Sequence, residues 1–311
     1  MNGTQLSQQY KNHLSDYSTW EQASHAEDWI LYPDNLADHI CIDEVALSKG
    51  ELYTVVTNAG ACCQKGSLVA MVKGTLSDTV IEILKKIPLS NRKTVRYVTV
   101  DLANNMERIG RIAFPQAALV SDRFHVQQLV SEALQQMRIK HRWEAIKQEN
   151  QAIKKAKENK EKYTPELLEN GDTKKQLLAR SRYLLFKPTS KWTDSQKQRA
   201  QILFKQYPDI HKAYLLSMMF RNIYQTAKSP DNALKRINQW KQKIERYQYD
   251  LFITAAHSIE AHMDTILAFF KERKTNALAE SFNSKLKAFR AIFRGVRDIP
   301  FFLYRVSMIF G

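Results

Sequence analysis

The 311-residue sequence holds no run of about 18 apolar residues, so it offers no candidate for a membrane-spanning helix. Its first residues, Met-Asn-Gly-Thr-Gln-Leu, lack the charged start and apolar stretch of a secretory signal. Cysteine is scarce: Cys41, Cys62 and Cys63 give an odd count with no Cys-x-x-Cys. Adjacent cysteines do not readily form two corners of a zinc site. The three therefore read as reduced thiols in a cytosolic protein. No low-complexity tract or fixed-period repeat is present, which excludes a solenoid.

What is present begins with charge. The formal net charge is +15, carried unevenly: residues 1–130 hold 12 Lys and Arg against 14 Asp and Glu, residues 131–311 hold 35 against 18. A solubility surplus spread over the whole surface would not be so polarised. A basic half of this kind points to a polyanionic partner, nucleic acid before membrane. Hydrophobic content of 44% is enough for a packed core, and the length suits two domains or one domain with a large insertion.

Residues 1–36 set Tyr10, Tyr17, Trp20, Trp29 and Tyr32 among polar residues and read as short helices leading to Pro33-Asp34. β-Branched runs follow at 39–47 and 52–57, split by the hairpin signal Ser48-Lys49-Gly50-Glu51. Further strands are predicted at 68–72, 95–100 and 117–120. Helices are predicted near 78–87, where Val80, Ile81, Leu84 and Ile87 recur at helical spacing, and near 103–113. The order is βββαβαβ, a mixed α/β sheet. After His125 the strand signal ends. A charged helical stretch over 126–162 is followed by helices near 174–186, 193–206, 208–226, 229–247 and 249–270, jointed at Pro188, Pro208 and Pro230. Trp143, Trp192 and Trp240 in this block read as core residues rather than base-stacking wedges. A last helix pair runs over 276–293 and 298–310, broken at Gly295. The expected division is 1–36, 37–125, a helical insertion 126–270, and 271–311.

Asp43 interrupts an apolar strand and Asp101 ends another, after Val98-Thr99-Val100. A carboxylate on a central strand is costly unless paired, hydrogen-bonded or metal-bound. Either one alone is most often a turn cap. Two on neighbouring strands suit a hard divalent ion that prefers oxygen ligands and keeps waters for a phosphate. Near the far end, Glu280, Asn283 and Lys287 fall on one helix face, beside an apolar stripe of Leu278, Phe282, Leu286, Phe289 and Phe293. Taken alone, that segment is an amphipathic helix.

Together, the segments CIDEVALSKGELYTVVTN, VRYVTVDLANNMERIGRIAFPQAALVSDRFHV and NALAESFNSKLKAFRAIFRGVRDIPFFLYRV resemble the DDE transposases of bacterial insertion sequences, within them the ISL-three branch. The resemblance covers nearly the whole chain. It implies a ribonuclease H-like sheet with a C-terminal catalytic helix, interrupted by an all-α insertion. It implies a catalytic, metal-binding triad of Asp43, Asp101 and Glu280 holding two Mg²⁺ or Mn²⁺ ions roughly 3.5–4 Å apart. Asp122 and His125 lie in the signature segment SDRFHV. Asp122 is a rival second ligand, a positioning group or a strand-end cap, and His125 is a core contact more often than a ligand. Asn283 stands as a supporting residue. Lys287 matches the Lys of the Glu-x6-Lys element that relatives place on DNA, whereas Asn276 stands where its upstream Arg would fall. Arg290, Arg294, Arg297 and Arg123 are further candidates for DNA phosphates, or a solvated basic face.

The implied activity is cleavage at insertion-sequence ends and strand transfer into target DNA, in the bacterial cytoplasm at the nucleoid. The alternatives are a related nuclease or a non-catalytic DNA-binding relative. The implied partners are double-stranded DNA and further copies of the chain. Only about 36 residues precede the first expected strand, with no cysteine among them. The zinc or helix-turn-helix reader of the relatives therefore has no counterpart there, and sequence recognition is expected from a separately encoded upstream protein or from the insertion.

Overall fold

The computed structural model describes residues 3–47, 50–274, 277–292 and 298–311. The chain forms two compact units, one of Met1–Arg123 with Asp264–Gly311 and one of Phe124–Met263. Six strands are present: β1 (Trp29–Leu31), β2 (His39–Ala46), β3 (Leu52–Asn58), β4 (Leu68–Lys73), β5 (Tyr97–Val100) and β6 (Ala118–Ser121). The helices are α1 (Gly3–Gln9), α2 (Ser77–Lys85), α3 (Leu89–Arg92), α4 (Asn104–Ala113), α5 (Arg123–Glu158), α6 (Lys174–Arg180), α7 (Asp194–Gln206), α8 (Pro208–Thr226), α9 (Pro230–Tyr247), α10 (Asp250–Ala261), α11 (Met263–Glu272), α12 (Ala277–Ile292) and α13 (Ile299–Phe310).

All six strands belong to the first unit and form one mixed α/β sheet in the order β1-β4-β3-β2-β5-β6. β1, β4, β3 and β2 pair antiparallel, whereas β2–β5 and β5–β6 are parallel. β2 is central and covered on both faces, which is why Ile40, Cys41 and Ile42 are all fully buried rather than alternating. On one face Ile40, Ile42, Val98 and Val100 pack with Val80 and Leu84 of α2 and with Met106 and Ile109 of α4. On the other, Val45, Val55 and Met71 pack with Phe282 and Leu286 of α12 and with Leu303 and Val306 of α13. Burying four aliphatic or aromatic side chains from these two helices contributes on the order of 6–12 kcal/mol before entropy is subtracted. This apolar stripe is what fixes α12 against the sheet.

Two sequence expectations are corrected here. The segment 1–36 is not wholly helical, because Trp29–Leu31 forms the edge strand β1 on β4. Three residues are too short to show a period of two, so the strand was not visible in the pattern. The stretch 249–270 is two helices rather than one, α10 ending at Ala261 and α11 starting at Met263.

The second unit is helical throughout. Thr173 and Thr193 each form a reciprocal capping box, with Gln176 and Gln196, at the starts of α6 and α7. Trp240 is fully buried, donates Nε1–H to the Leu216 carbonyl at 3.0 Å and packs on Phe220. Trp192 donates to the Leu184 carbonyl at 2.8 Å. Trp143 departs from the expectation of a core residue: it is 65% exposed on α5. Among the described residues no helix is long and apolar enough to cross a membrane.

Candidate active site

Strand register brings the first-unit aspartates together. β2 and β5 run parallel with His39 beside Tyr97 and Cys41 beside Thr99. Two residues further along that register, Asp43 comes level with Asp101. β5 and β6 run parallel with Val100 beside Ser121, and the Asp122 amide donates to the Val100 carbonyl at 2.7 Å. One residue further, Asp101 comes level with Asp122. Asp43, within β2, is thus level with the residues that directly follow β5 and β6, each strand about 4.8 Å from the next. Alternation along β2 puts Asp43 on the face of Cys41 and Val45, the face covered by α12.

The three differ in setting. Asp43 is half-buried and accepts the Glu44 amide on Oδ1 at 2.8 Å. Asp101 is half-buried and accepts the Ala103 amide on Oδ1 at 2.9 Å, the turn-capping bond expected of a strand-end aspartate. Asp122 is only 2% exposed. Beneath them lies Cys41, whose thiol is pushed well above its ordinary range, first by burial and then by the negative charges of Asp122 and Asp43. Both carboxylates therefore project their field onto one small buried region.

α12 completes the arrangement. Ala279 is buried beside Cys41 and Ala59, which seats the first turn of the helix over the first half of β2. Asn283 is 7% exposed and donates Nδ2–H to Asp43 Oδ2 at 2.8 Å, while its own Oδ1 is buried with no hydrogen-bond partner. Glu280 lies one turn before Asn283 on the same side of the helix and is half-buried. Lys287, one turn beyond, is exposed.

Arg290 departs from the expectation of a DNA contact. It is 6% exposed, its Nη2 donates to both Glu51 carboxylate oxygens at 2.6 Å, and its guanidinium lies 4.9 Å from the Phe302 ring. It holds α12 to the start of β3. Arg294 and Arg297, with Asn276 and Phe293, lie outside the described residues. Arg123 is half-buried at the start of α5, and His125 is half-buried in the first turn of that helix, in the second unit.

The residues fit a hard divalent ion by donor chemistry: three in-register carboxylates, a fourth on α12 and an unused buried amide oxygen are all oxygen donors. Among the described residues, no three His, Cys, Asp or Glu side chains already surround a common point as ligands would. Composition and spacing did not reveal the line beneath the carboxylates. His39 shares a hydrogen bond with Thr99 Oγ1 at 2.8 Å, and Thr99 also bonds to Cys41. The available signal was period two, counting back from Asp43 through Cys41 to His39. Burial and the Lys274 charge lower His39 to about 4, against a weaker opposing effect of Asp38.

Aspartates within β2 and directly after β5 and β6, with a carboxylate-bearing helix packed on the same face, make this the candidate site of the fold. Residues 40–306 match the model of the ISL3 family of DDE transposases, described as "Transposase". The chain belongs to that family. It is 23% identical over 274 residues to the transposase for insertion sequence element IS1557 of Mycobacterium tuberculosis, covering 87% of this chain and 59% of that protein. It is 21% identical over 276 residues to the transposase for insertion sequence element IS1001 of Bordetella parapertussis, covering 88% and 61%. The chain thus spans about three fifths of the length of these curated relatives.

Proposed function

We propose that this protein cuts DNA at the ends of an insertion sequence and joins the freed ends to a target, using a ribonuclease H-like core with Asp43, Asp101 and Glu280 as catalytic carboxylates. The observation that carries the reading is the register placing Asp43 level with Asp101, under a helix whose Asn283 grips Asp43 and whose Glu280 lies one turn away. Asp43, Asp101 and Glu280 would hold Mg²⁺ or Mn²⁺, two ions by the family resemblance. Such ions, when bound, activate the attacking oxygen and stabilise the leaving 3′ oxygen of an in-line displacement. The protein's own residues do the remaining work. Asn283 fixes the rotamer of Asp43 through its hydrogen bond to Oδ2. Lys287, exposed one turn beyond, places a positive charge for a DNA phosphate. Water is the nucleophile for the first cut and the released 3′-hydroxyl for joining, so one constellation serves both steps.

Asp122 is the alternative second ligand, since the same register makes it level with Asp101. DNA is the partner, with assembly of further copies on it and a separately encoded reader of the ends as extensions of the reading. The cytoplasm, at the nucleoid, is the place of action. The test is an assay with paired end DNA and Mn²⁺. Asp43→Asn, Asp101→Asn and Glu280→Gln should each abolish both cleavage and joining. Cleavage without joined product would leave a nuclease. Cleavage retained in Asp101→Asn but lost in Asp122→Asn would move the second ligand to Asp122.

A further inference from the structure

The second unit carries 26 Lys and Arg against 14 Asp and Glu, and its longest helix concentrates part of that surplus on one line. Lys140, Trp143, Lys147, Asn150, Lys154 and Lys157 follow one another at spacings of three and four residues along α5. A helix turning 100° per residue puts all six on one stripe. Every one is exposed, Trp143 by 65%. The opposite side of the helix holds the buried residues Leu134, Met137, Arg138 and Ala145, so nothing in the core of the unit needs this stripe. One exposed acidic residue, Glu144, borders the stripe between Lys140 and Lys147 and lies 3.5 Å from His141. Glu149 points aside to Lys175 at 2.9 Å, and Glu158 at the far end meets Lys154 only at 3.9 Å.

Trp143 is one of several large apolar side chains exposed on this chain; what sets it apart is its place within a row of lysines. Lysines neutralise phosphates at any sequence, and an aromatic plane among them offers a surface for sugar and base. The stripe from Lys140 to Lys157 is about 25 Å long at 1.5 Å per residue, some three quarters of a DNA turn of about 34 Å.

We propose that this face of α5 is a DNA-binding track, with Lys140, Lys147 and Lys154 each on a backbone phosphate along its length and Trp143 packed against the sugar and base surface between them. It rests on the reading of the chain as a DNA-transacting protein but does not involve the carboxylates. Contacts of this kind read no base sequence. The track therefore supplies affinity for any duplex and leaves recognition of the ends to other residues.

The test is fluorescence anisotropy of a labelled 30-base-pair duplex with the full chain, from 50 to 300 mM salt. Lys140→Gln/Lys147→Gln/Lys154→Gln should weaken binding at least tenfold at 100 mM salt and reduce the log–log salt slope by about 2–3, one unit per lost phosphate contact. Trp143→Ala should weaken binding about tenfold with the slope unchanged, and Trp143→Phe should retain most of the affinity. Melting curves should coincide with wild type, since all four side chains are exposed. Wild-type affinity and slope in the triple-lysine variant would overturn the proposal. So would a dimer that dissociates in Trp143→Ala without loss of DNA affinity, which would make this face a protein interface. The two readings separate by readout, because binding is measured in EDTA, where a metal-dependent cut cannot occur. If the wild type binds yet never cuts, the catalytic reading fails and the track stands.

Discussion

Asn283 donates its side-chain amide to Asp43 across 2.8 Å, although 240 residues separate them in the chain. The bond joins α12 to the central strand at the point where catalysis is proposed. It also leaves Asn283 Oδ1 buried and unpartnered, a state that normally costs about 1–3 kcal/mol. An amide oxygen accepts hydrogen bonds or ligates a cation, so Oδ1 is suited to a hard divalent ion. Asn283→Ala should therefore reduce DNA cleavage by about 10–100-fold, the usual effect of losing a group that orients a metal-binding carboxylate. It should also raise the Mn²⁺ concentration needed for half-maximal rate. Cleavage at the wild-type rate and metal requirement would show that Asn283 only packs.

The in-register carboxylates predict metal-linked stability. A ligand at a hundred times its dissociation constant stabilises by about 2.7 kcal/mol, worth several degrees in Tm for a domain of this size. Adding Mn²⁺ should raise the Tm of the wild type by several degrees, and EDTA should reverse the rise. Asp43→Asn and Glu280→Gln should show a much smaller response. The measurement is independent of DNA and of turnover, so a full response in Asp43→Asn would remove that residue from the ion's ligands.

Arg290 and Glu51 form an ion pair with the arginine 6% and the glutamate side chain 19% exposed. Removing one partner of such a pair strands the other charge, at a cost of roughly 3 kcal/mol. Arg290→Ala should lower stability by that order in a denaturant titration, while Arg290→Ala/Glu51→Ala should recover part of the loss. The salt slope of DNA binding should not change in either variant. A reduced slope would return Arg290 to the phosphate contacts.

Much of this site was legible from sequence because it rests on strands and helices with clear periods. The runs around Asp43 and Asp101 are β-branched and bounded, and the stripe of Phe282 and Leu286 identifies the inner side of α12. Periodicity assigns a side of a helix but not the depth of each position. Asn283 and Arg290, seven residues apart, are both buried, whereas Lys287 between them is exposed. Arg290 looked like a free cation because its partner Glu51 lies 239 residues earlier, a pairing no local pattern encodes. β1 and the exposure of Trp143 escaped for similar reasons. A three-residue strand is defined by its neighbour, and the burial of a tryptophan depends on what packs against its helix.

His39 supplies a prediction about pH. Its ring lies on the carboxylate face of β2, bonded to Thr99 Oγ1 and edge-on to Tyr97, whose ring also receives Lys274 Nζ at 5.0 Å from its centroid. Burial and the Lys274 charge lower its folded pKa to about 4 from an ordinary 6.5. As pH falls below 6.5 the unfolded chain therefore takes up the proton first, and protonation favours unfolding. The stabilisation from neutral His39 is complete above 6.5 and is lost progressively as pH falls toward and through 4. Carboxylates elsewhere titrate over part of the same range, so the informative quantity is the difference between variants. His39→Gln, which has no proton to gain, should lose less Tm than the wild type between pH 6.5 and 4, with the two curves parallel above 7. Lys274→Ala removes one of the two causes and raises the folded pKa, so the extra loss in the wild-type background should become smaller and level off at a higher pH. Curves that stay parallel down to pH 4 in His39→Gln would show that the imidazole takes up its proton equally well in the folded and unfolded chains.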